Sequence, residues 1–324
     1  MTKKTKPIIM FGFTESISLV FAVFLFALLL KNSSFASKEV SNALKLCAHT
    51  LIPSLFPLMV LSEILTNIGA IEKLTKKIST PVSKILGVSK SATVPYFLGL
   101  FGGYTSSCKS AVLLYQNGKI SKGDCESIIA LSNIPSIAFM TGFIGIGVFK
   151  NTNIGWILWG ITVLSTLALG LINKLLFKKE IPVYKHENTT AKKQIGLSRT
   201  IVDAIAHSAY AMLIICACVV FFSVLMGVLE LYLNPITLPE NIKSIALGTL
   251  EITNGIGSCI NIKNIPLRAV ACSFLVGWSG LCVHFQVIAL CEDTDISFRK
   301  YFIFKALQGV ICALLAVLVF SFKF

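Results

Sequence analysis

The chain has 324 residues, of which 55% are hydrophobic and 14% charged, with 29 Lys and Arg against 15 Asp and Glu. A soluble domain carries about 25% charged residues, so this balance, with a mean hydropathy of +0.80, excludes an ordinary soluble protein and predicts an all-α polytopic membrane protein with the lipid bilayer as its partner. The net charge of +14 does not imply a nucleic-acid partner, because the lysines cluster between apolar segments as cytoplasmic loops require and no recognition motif accompanies them.

The first region, residues 1–45, opens on the basic flank Met1-Thr2-Lys3-Lys4-Thr5-Lys6 and continues into an apolar stretch at 14–30. That stretch is longer than a signal-peptide core, and no small-x-small site follows it at once. We read it as a retained transmembrane helix. Residues 46–69 predict a second helix, kinked by Pro53 and Pro57. Residues 71–90 carry Lys73, Lys76, Lys77, Lys84 and Lys90 and predict an amphipathic helix at the interface.

In residues 92–116, Gly99, Gly102, Gly103 and the run Thr105-Ser106-Ser107 argue against one straight helix. A re-entrant hairpin is expected, with its tip near Gly102–Ser107. Residues 127–149 predict a helix broken at Ser132-Asn133-Ile134-Pro135-Ser136, and 154–177 a plain span closing a first repeat that covers 46–177. The polar stretch 178–199 is a basic cytoplasmic linker. The second repeat, 200–324, holds a helix at 200–233 and a weaker segment at 241–262, broken around Thr253-Asn254-Gly255-Ile256-Gly257. A second glycine-rich hairpin follows at 266–291, and a closing helix at 297–322 starts on Ser297 as N-cap.

The two glycine-rich segments form a pair. Aligning Phe97-Leu98 with Phe274-Leu275 brings Gly103 onto Gly280. Interrupted segments at matching places of two halves point to a transporter's binding site. Lysine counting puts the N-terminus, 71–90 and 178–199 in the cytoplasm, with the first hairpin entering from inside and the second from outside, where Glu292, Asp293 and Asp295 leave it. The halves are then inverted-topology repeats, each with a re-entrant hairpin and a broken helix.

Backbone breaks at membrane depth survive only where they line a cavity or are buried in protein. Half-helix N-termini there favour anionic groups. Candidate substrate-binding residues are therefore Gly102, Gly103, Tyr104, Thr105, Ser106 and Lys109 in the first hairpin, and Ser132, Asn133 and Ser136 in the helix break. The second half adds Glu251, Thr253 and Asn254, then Ser279, Gly280, His284 and Gln286. Lys109 is either a functional intramembrane cation or a chain that snorkels to the surface. Glu251 either carries a proton or accepts a hydrogen bond from substrate, or it is a structural carboxyl capping a half-helix. Glu63 is a similar candidate nearer a helix end. His284 is either a satisfied packing residue or part of the site.

No nucleophile elbow, H-E-x-x-H or phosphate-binding loop occurs, so no enzyme, catalytic residue, cofactor or metal is expected. The ten cysteines include Cys216, Cys218, Cys272, Cys282 and Cys312, form no CxxC, and read as small packing residues with free thiols.

Several motifs in order carry a family resemblance: Pro53-Ser54-Leu55-Phe56-Pro57 with Leu61-Ser62-Glu63, Gly102-Gly103-Tyr104, Ser132 to Ser136, Leu250-Glu251-Ile252-Thr253-Asn254-Gly255, and Phe274 to Gln286. Across roughly residues 45 to 322 the chain resembles the sporulation integral membrane proteins of the YlbJ type. These belong to the wider nucleoside-recognition or Gate group, related to concentrative nucleoside transporters. The resemblance implies a multi-pass protein of an endospore-forming bacterium, in the cell membrane or outer forespore membrane, that moves the small aromatic dianion dipicolinate. Thr105 stands where the family commonly has proline.

Three functions stay open on this reading: a secondary transporter of a small organic anion, a transporter of nucleosides or another neutral solute, and a non-transporting scaffold. The Gate relatives often assemble, which leaves a homo-oligomer open. Gly142, Gly145 and Gly147 allow close helix packing within or between chains.

Overall fold

The computed structural model describes residues 13–68, 73, 75–176, 196–233 and 239–321, and these residues hold helices and turns but no strand. Helix α1 spans Phe13–Lys31. Helix α2, Ser33–Leu46, winds through a π-helical turn at Cys47–Leu51 into α3, Ile52–Asn67. Segments 33–51 and 55–65 meet at 51°, and Pro57 lies inside α3, where its ring removes a backbone donor. Of the interfacial helix expected over 71–90, α4 occupies Ser79–Leu86. The basic N-terminal flank and most of the expected linker lie outside the described residues.

Among the described residues, four helices are long and apolar enough to cross a bilayer, Thr152–Leu176, Ser198–Val228, Ile265–Leu290 and Arg299–Ser321, and the bent 33–65 pair makes a fifth when counted as one span. In element terms these are α8 (Thr152–Leu176), α9 (Leu197–Leu233), the pair α12 (Ile265–Trp278) and α13 (Gly280–Leu290), and α14 (Arg299–Ser321).

Between them lie shorter pieces. Helix α5, Thr93–Gly102, turns at Gly103 into α6, Tyr104–Gln116. Gly103 has φ 79°, a backbone region that costs a side-chain-bearing residue dearly and glycine little. A Cβ built on Gly99 would sit 3.1 Å from the Cβ of Ser107, so the two arms fold back on each other. Helix α7, Lys122–Ser132, is N-capped by Ser121, whose side chain accepts the Asp124 N–H. Its chain breaks over 133–136 and resumes as a π-helix at Phe139–Val148.

A second hairpin forms where a weak, broken segment was expected. Helix α10, Glu240–Leu250, turns at Glu251 into α11, Ile252–Ser258. A Cβ built on Gly255 would lie 2.0 Å from Gly248 Cα and 3.1 Å from the Ser244 carbonyl oxygen. Only two glycines face to face let these arms approach so closely.

The region expected to be the second hairpin, 266–291, is instead long enough to cross as one interrupted span at 265–290. The acids after it are placed accordingly. Asp295 accepts from Tyr115 Oη at 2.7 Å and Lys122 Nζ at 2.9 Å, so it lies at the lysine-bearing end and not opposite it. Charge counting erred because a hairpin returns to its own side whereas a span does not. The bonds from Lys122, then Tyr115, hold the Asp295 carboxyl below the usual carboxylate range.

The hairpins enter from opposite ends. Arm α6 ends beside Lys122 and Asp295. Arm α11 runs into a turn whose Ile260 and Ile262 carbonyls are held by Arg268, which also donates to the Val148 carbonyl at 3.2 Å. Val148 is the far end of the broken chain that starts at Lys122. Both hairpin tips therefore point to the centre.

Candidate functional site

Where the tips meet there is a cavity of about 70 Å³. It is walled by Gly102–Thr105 of the first tip, Glu251–Thr253 of the second, Pro135 and Ser136 of the first break, and Ser279, Cys282 and Gln286 of α12–α13. Apolar side chains of α3 and α9, among them Leu55, Met59 and Val219, close the side. Pockets for small molecules hold about 300–1,000 Å³, so the walls must part before an aromatic solute fits.

Each tip leans on a break. A Cβ on Gly103 would meet Ser136 N at 3.4 Å, and one on Gly280 would meet Gly248 O and Ile252 N, both at 3.0 Å. Ser279 and Gly280 both have φ 79°. Two successive left-handed residues end α12 and start α13, leaving backbone N–H and C=O groups free of the helical ladder. Trp278 Nε1 donates to the Thr249 carbonyl at 3.1 Å, fastening the break to the second hairpin.

Glu251 is 1% exposed and is the one formally charged side chain lining the cavity among the described residues. Its Oε1 accepts the Thr253 N–H at 2.9 Å and its Oε2 the Asn254 N–H at 2.6 Å. Both oxygens are thus engaged in capping α11, where a carboxylate also meets the positive dipole end. Asn254 turns away and donates through Nδ2 to Ser223 Oγ of α9.

Tyr104 Oη donates to Gln286 Oε1 at 2.7 Å, joining the first hairpin to α13. Ser107 and Ser132 share a short hydroxyl bond behind the tip, and Ser106 Oγ reaches the Gly102 carbonyl at 3.4 Å. Ser106, Ser132, Asn133, Asn254, Gly280 and His284 lie around the cavity wall without lining it. Lys109 is exposed, away from the cavity. Glu63 sits 3.3 Å from His207 Nδ1 on the α3–α9 face.

Behind the first break lies a polar cluster that the sequence reading missed in part. Asn133 Nδ2 donates to Tyr301 Oη, whose hydroxyl also shares a hydrogen bond of 2.7 Å with His284 Nδ1. Lys305, fully buried, donates to the Asn133 carbonyl at 2.7 Å and to Gln308 Oε1 at 2.7 Å. The amine thereby caps the carbonyl end of α7, the end that attracts cations. Lys305, the lone charged residue in the apolar run 301–320, was a legible signal, but no glycine-rich motif drew attention to it.

Compared with known proteins, the chain is a homologue of the sporulation integral membrane protein YlbJ of Bacillus subtilis (strain 168), with 26% identity across 93% of this chain and 81% of that protein. No family model matches the chain. No solved structure matches it.

Proposed function

We propose that this homologue of a sporulation membrane protein is a secondary transporter of a small organic anion, with dipicolinate the foremost candidate, moved across the outer forespore membrane. One observation carries the reading: two hairpins from opposite ends bring their tips to one central cavity, each against a helix break. Such discontinuous elements at mid-depth are how transporters present backbone dipoles to a solute. On this reading the chain holds two inverted repeats, α5–α6 with the broken α7 chain, and α10–α11 with α12–α13. The lysine-bearing end faces the cytoplasm, N-terminus included, and the protein opens to either side by moving one hairpin at a time.

The resemblance to the sporulation proteins supports dipicolinate, and the helix termini around the cavity, at α6, the π-helix and α13, suit an anion. A second reading has its own support: among the described residues the only formally charged lining side chain is acidic, which suits a neutral solute such as a nucleoside.

Thermal stabilisation of the purified protein separates them, since a ligand that binds only the folded state raises the apparent melting temperature by mass action. Dipicolinate should stabilise while uridine and a neutral pyridine do not. Stabilisation by uridine alone would install the second reading. No shift with any of them, together with no uptake by proteoliposomes, would leave a scaffold role.

A further inference from the structure

The Lys305 cluster is unusual in its accounting. The described ion pairs are Lys122–Asp295, Arg199–Asp203 and His207–Glu63, so this fully buried lysine has no carboxylate partner among the described residues. Its amine donates to two neutral oxygens, those of Asn133 and Gln308. Both bonds survive whether the third position on Nζ holds a lone pair or a hydrogen. The site therefore accommodates gain or loss of a proton without rearranging.

Two neighbouring atoms are also unmatched. Asn133 Oδ1 and His284 Nε2 are buried with no hydrogen-bond partner among the described residues. Buried polar atoms are usually paired, so two orphans beside an amine held only by neutral oxygens mark a place built for exchange. Asn133 is two residues from Pro135, which lines the cavity.

We propose that Lys305 is the proton-binding site of the transport cycle, taking up a proton when the solute anion enters the cavity and releasing it when the anion leaves. This rests on the transporter reading. The proton adds to the Nζ lone pair and returns to water. The solute's negative charge, across the Asn133–Ser136 break, supplies the countercharge that no described side chain supplies. Coupling of this kind is reciprocal: the proton favours the anion as much as the anion favours the proton.

The other groups facing the amine do not compete for the role. Helix α14 brings Tyr301 and Cys312, the latter donating to Ser165 Oγ of α8 at 3.2 Å. Gln308 Nε2 donates to the same hydroxyl. Helix α13 offers His284, whose Nδ1 is bonded to Tyr301 Oη. The acids of α7, Asp124 and Glu126, are engaged at its other end by the Ser89 and Ser297 N–H groups. Glu251 is the obvious rival, but both its oxygens are committed to backbone N–H groups.

The test uses full-length protein in liposomes with a trapped pH-sensitive dye, driven by a gradient of labelled dipicolinate. Wild type should move protons with the solute. Lys305→Met, which keeps the stem but cannot titrate, and Lys305→Arg, which stays charged, should lose proton movement per dipicolinate moved. Calorimetry of wild-type binding in two buffers of different ionisation enthalpy should report proton uptake without any variant. Wild-type dipicolinate transport without proton movement would overturn the proposal and leave the transporter reading standing, as would an unchanged proton-to-solute ratio in both variants. Failure of wild type to move dipicolinate at all would remove the transporter reading, and this inference with it.

Discussion

The hydroxyl of Tyr104 donates to Gln286 Oε1 at 2.7 Å, a bond between residues far apart in sequence that ties the tip of the first hairpin to the C-terminal half of an interrupted span. It closes one wall of the central cavity. Opening the cavity by moving the first hairpin would have to break it.

Tyr104→Phe should therefore favour the open form. The folded protein should lose about 1 kcal/mol, the usual net value of one internal hydrogen bond. Dipicolinate uptake should change by more than stability does. Thermal unfolding in detergent, with uptake by liposomes, checks this, and unaltered uptake would show that the bond does not gate the cavity.

Glu251→Gln should destabilise the second hairpin by about 1–3 kcal/mol, because an amide nitrogen would face a backbone N–H that now meets a carboxylate oxygen. The variant should lower the melting temperature even without solute. A melting temperature equal to wild type would refute the capping role.

Gly255→Ala and Gly160→Ala should diverge. The first places a methyl 2.0 Å from Gly248 Cα, which forces the arms of the hairpin apart at about 1–3 kcal/mol or more. The second meets nothing within 4 Å, in the middle of α8, and should stabilise by about 0.5–1 kcal/mol through helix propensity. Melting temperatures of the two variants read this directly.

The Asp295 pair gives a pH dependence of known sign. Its carboxyl is held below the usual range by Lys122 and Tyr115, so its contribution is present above the unfolded value and lost as pH falls through the lower folded one. Because the pair is exposed, the contribution is small and salt-sensitive. The melting temperature of wild type should slightly exceed that of Asp295→Asn at neutral pH, and the gap should close in acid. A gap that widens in acid would contradict the assignment.

Much of this arrangement was legible in the sequence. Gly102-Gly103 marks a turn because Gly103 takes φ 79° with ψ −174°, a region open essentially to glycine alone, and Pro135 with its polar neighbours marks the break after α7. Glu251 stood out as a carboxylate in an apolar stretch. The second hairpin did not. Its turn residue, Glu251, is extended at φ −138° and needs no glycine, and its arms of 11 and 7 residues are too short for a clear helical period. Its one signal was Gly248 and Gly255, which flank the turn on either side. The Gly277–Gly280 motif misled because glycine serves an interrupted span as well as a hairpin. Lys305 was visible as a lone charge, but only the fold brings it to Asn133.

The central claim is that solute passes through the cavity between the hairpin tips. It is tested most directly by uptake of labelled dipicolinate into liposomes holding wild type or Thr105→Trp, whose indole would fill a cavity of about 70 Å³ from the rim of α6. Wild type should show saturable uptake above protein-free vesicles, and the folded variant should show none. Equal uptake by both proteins, or wild-type uptake no greater than that of empty vesicles, would contradict the account.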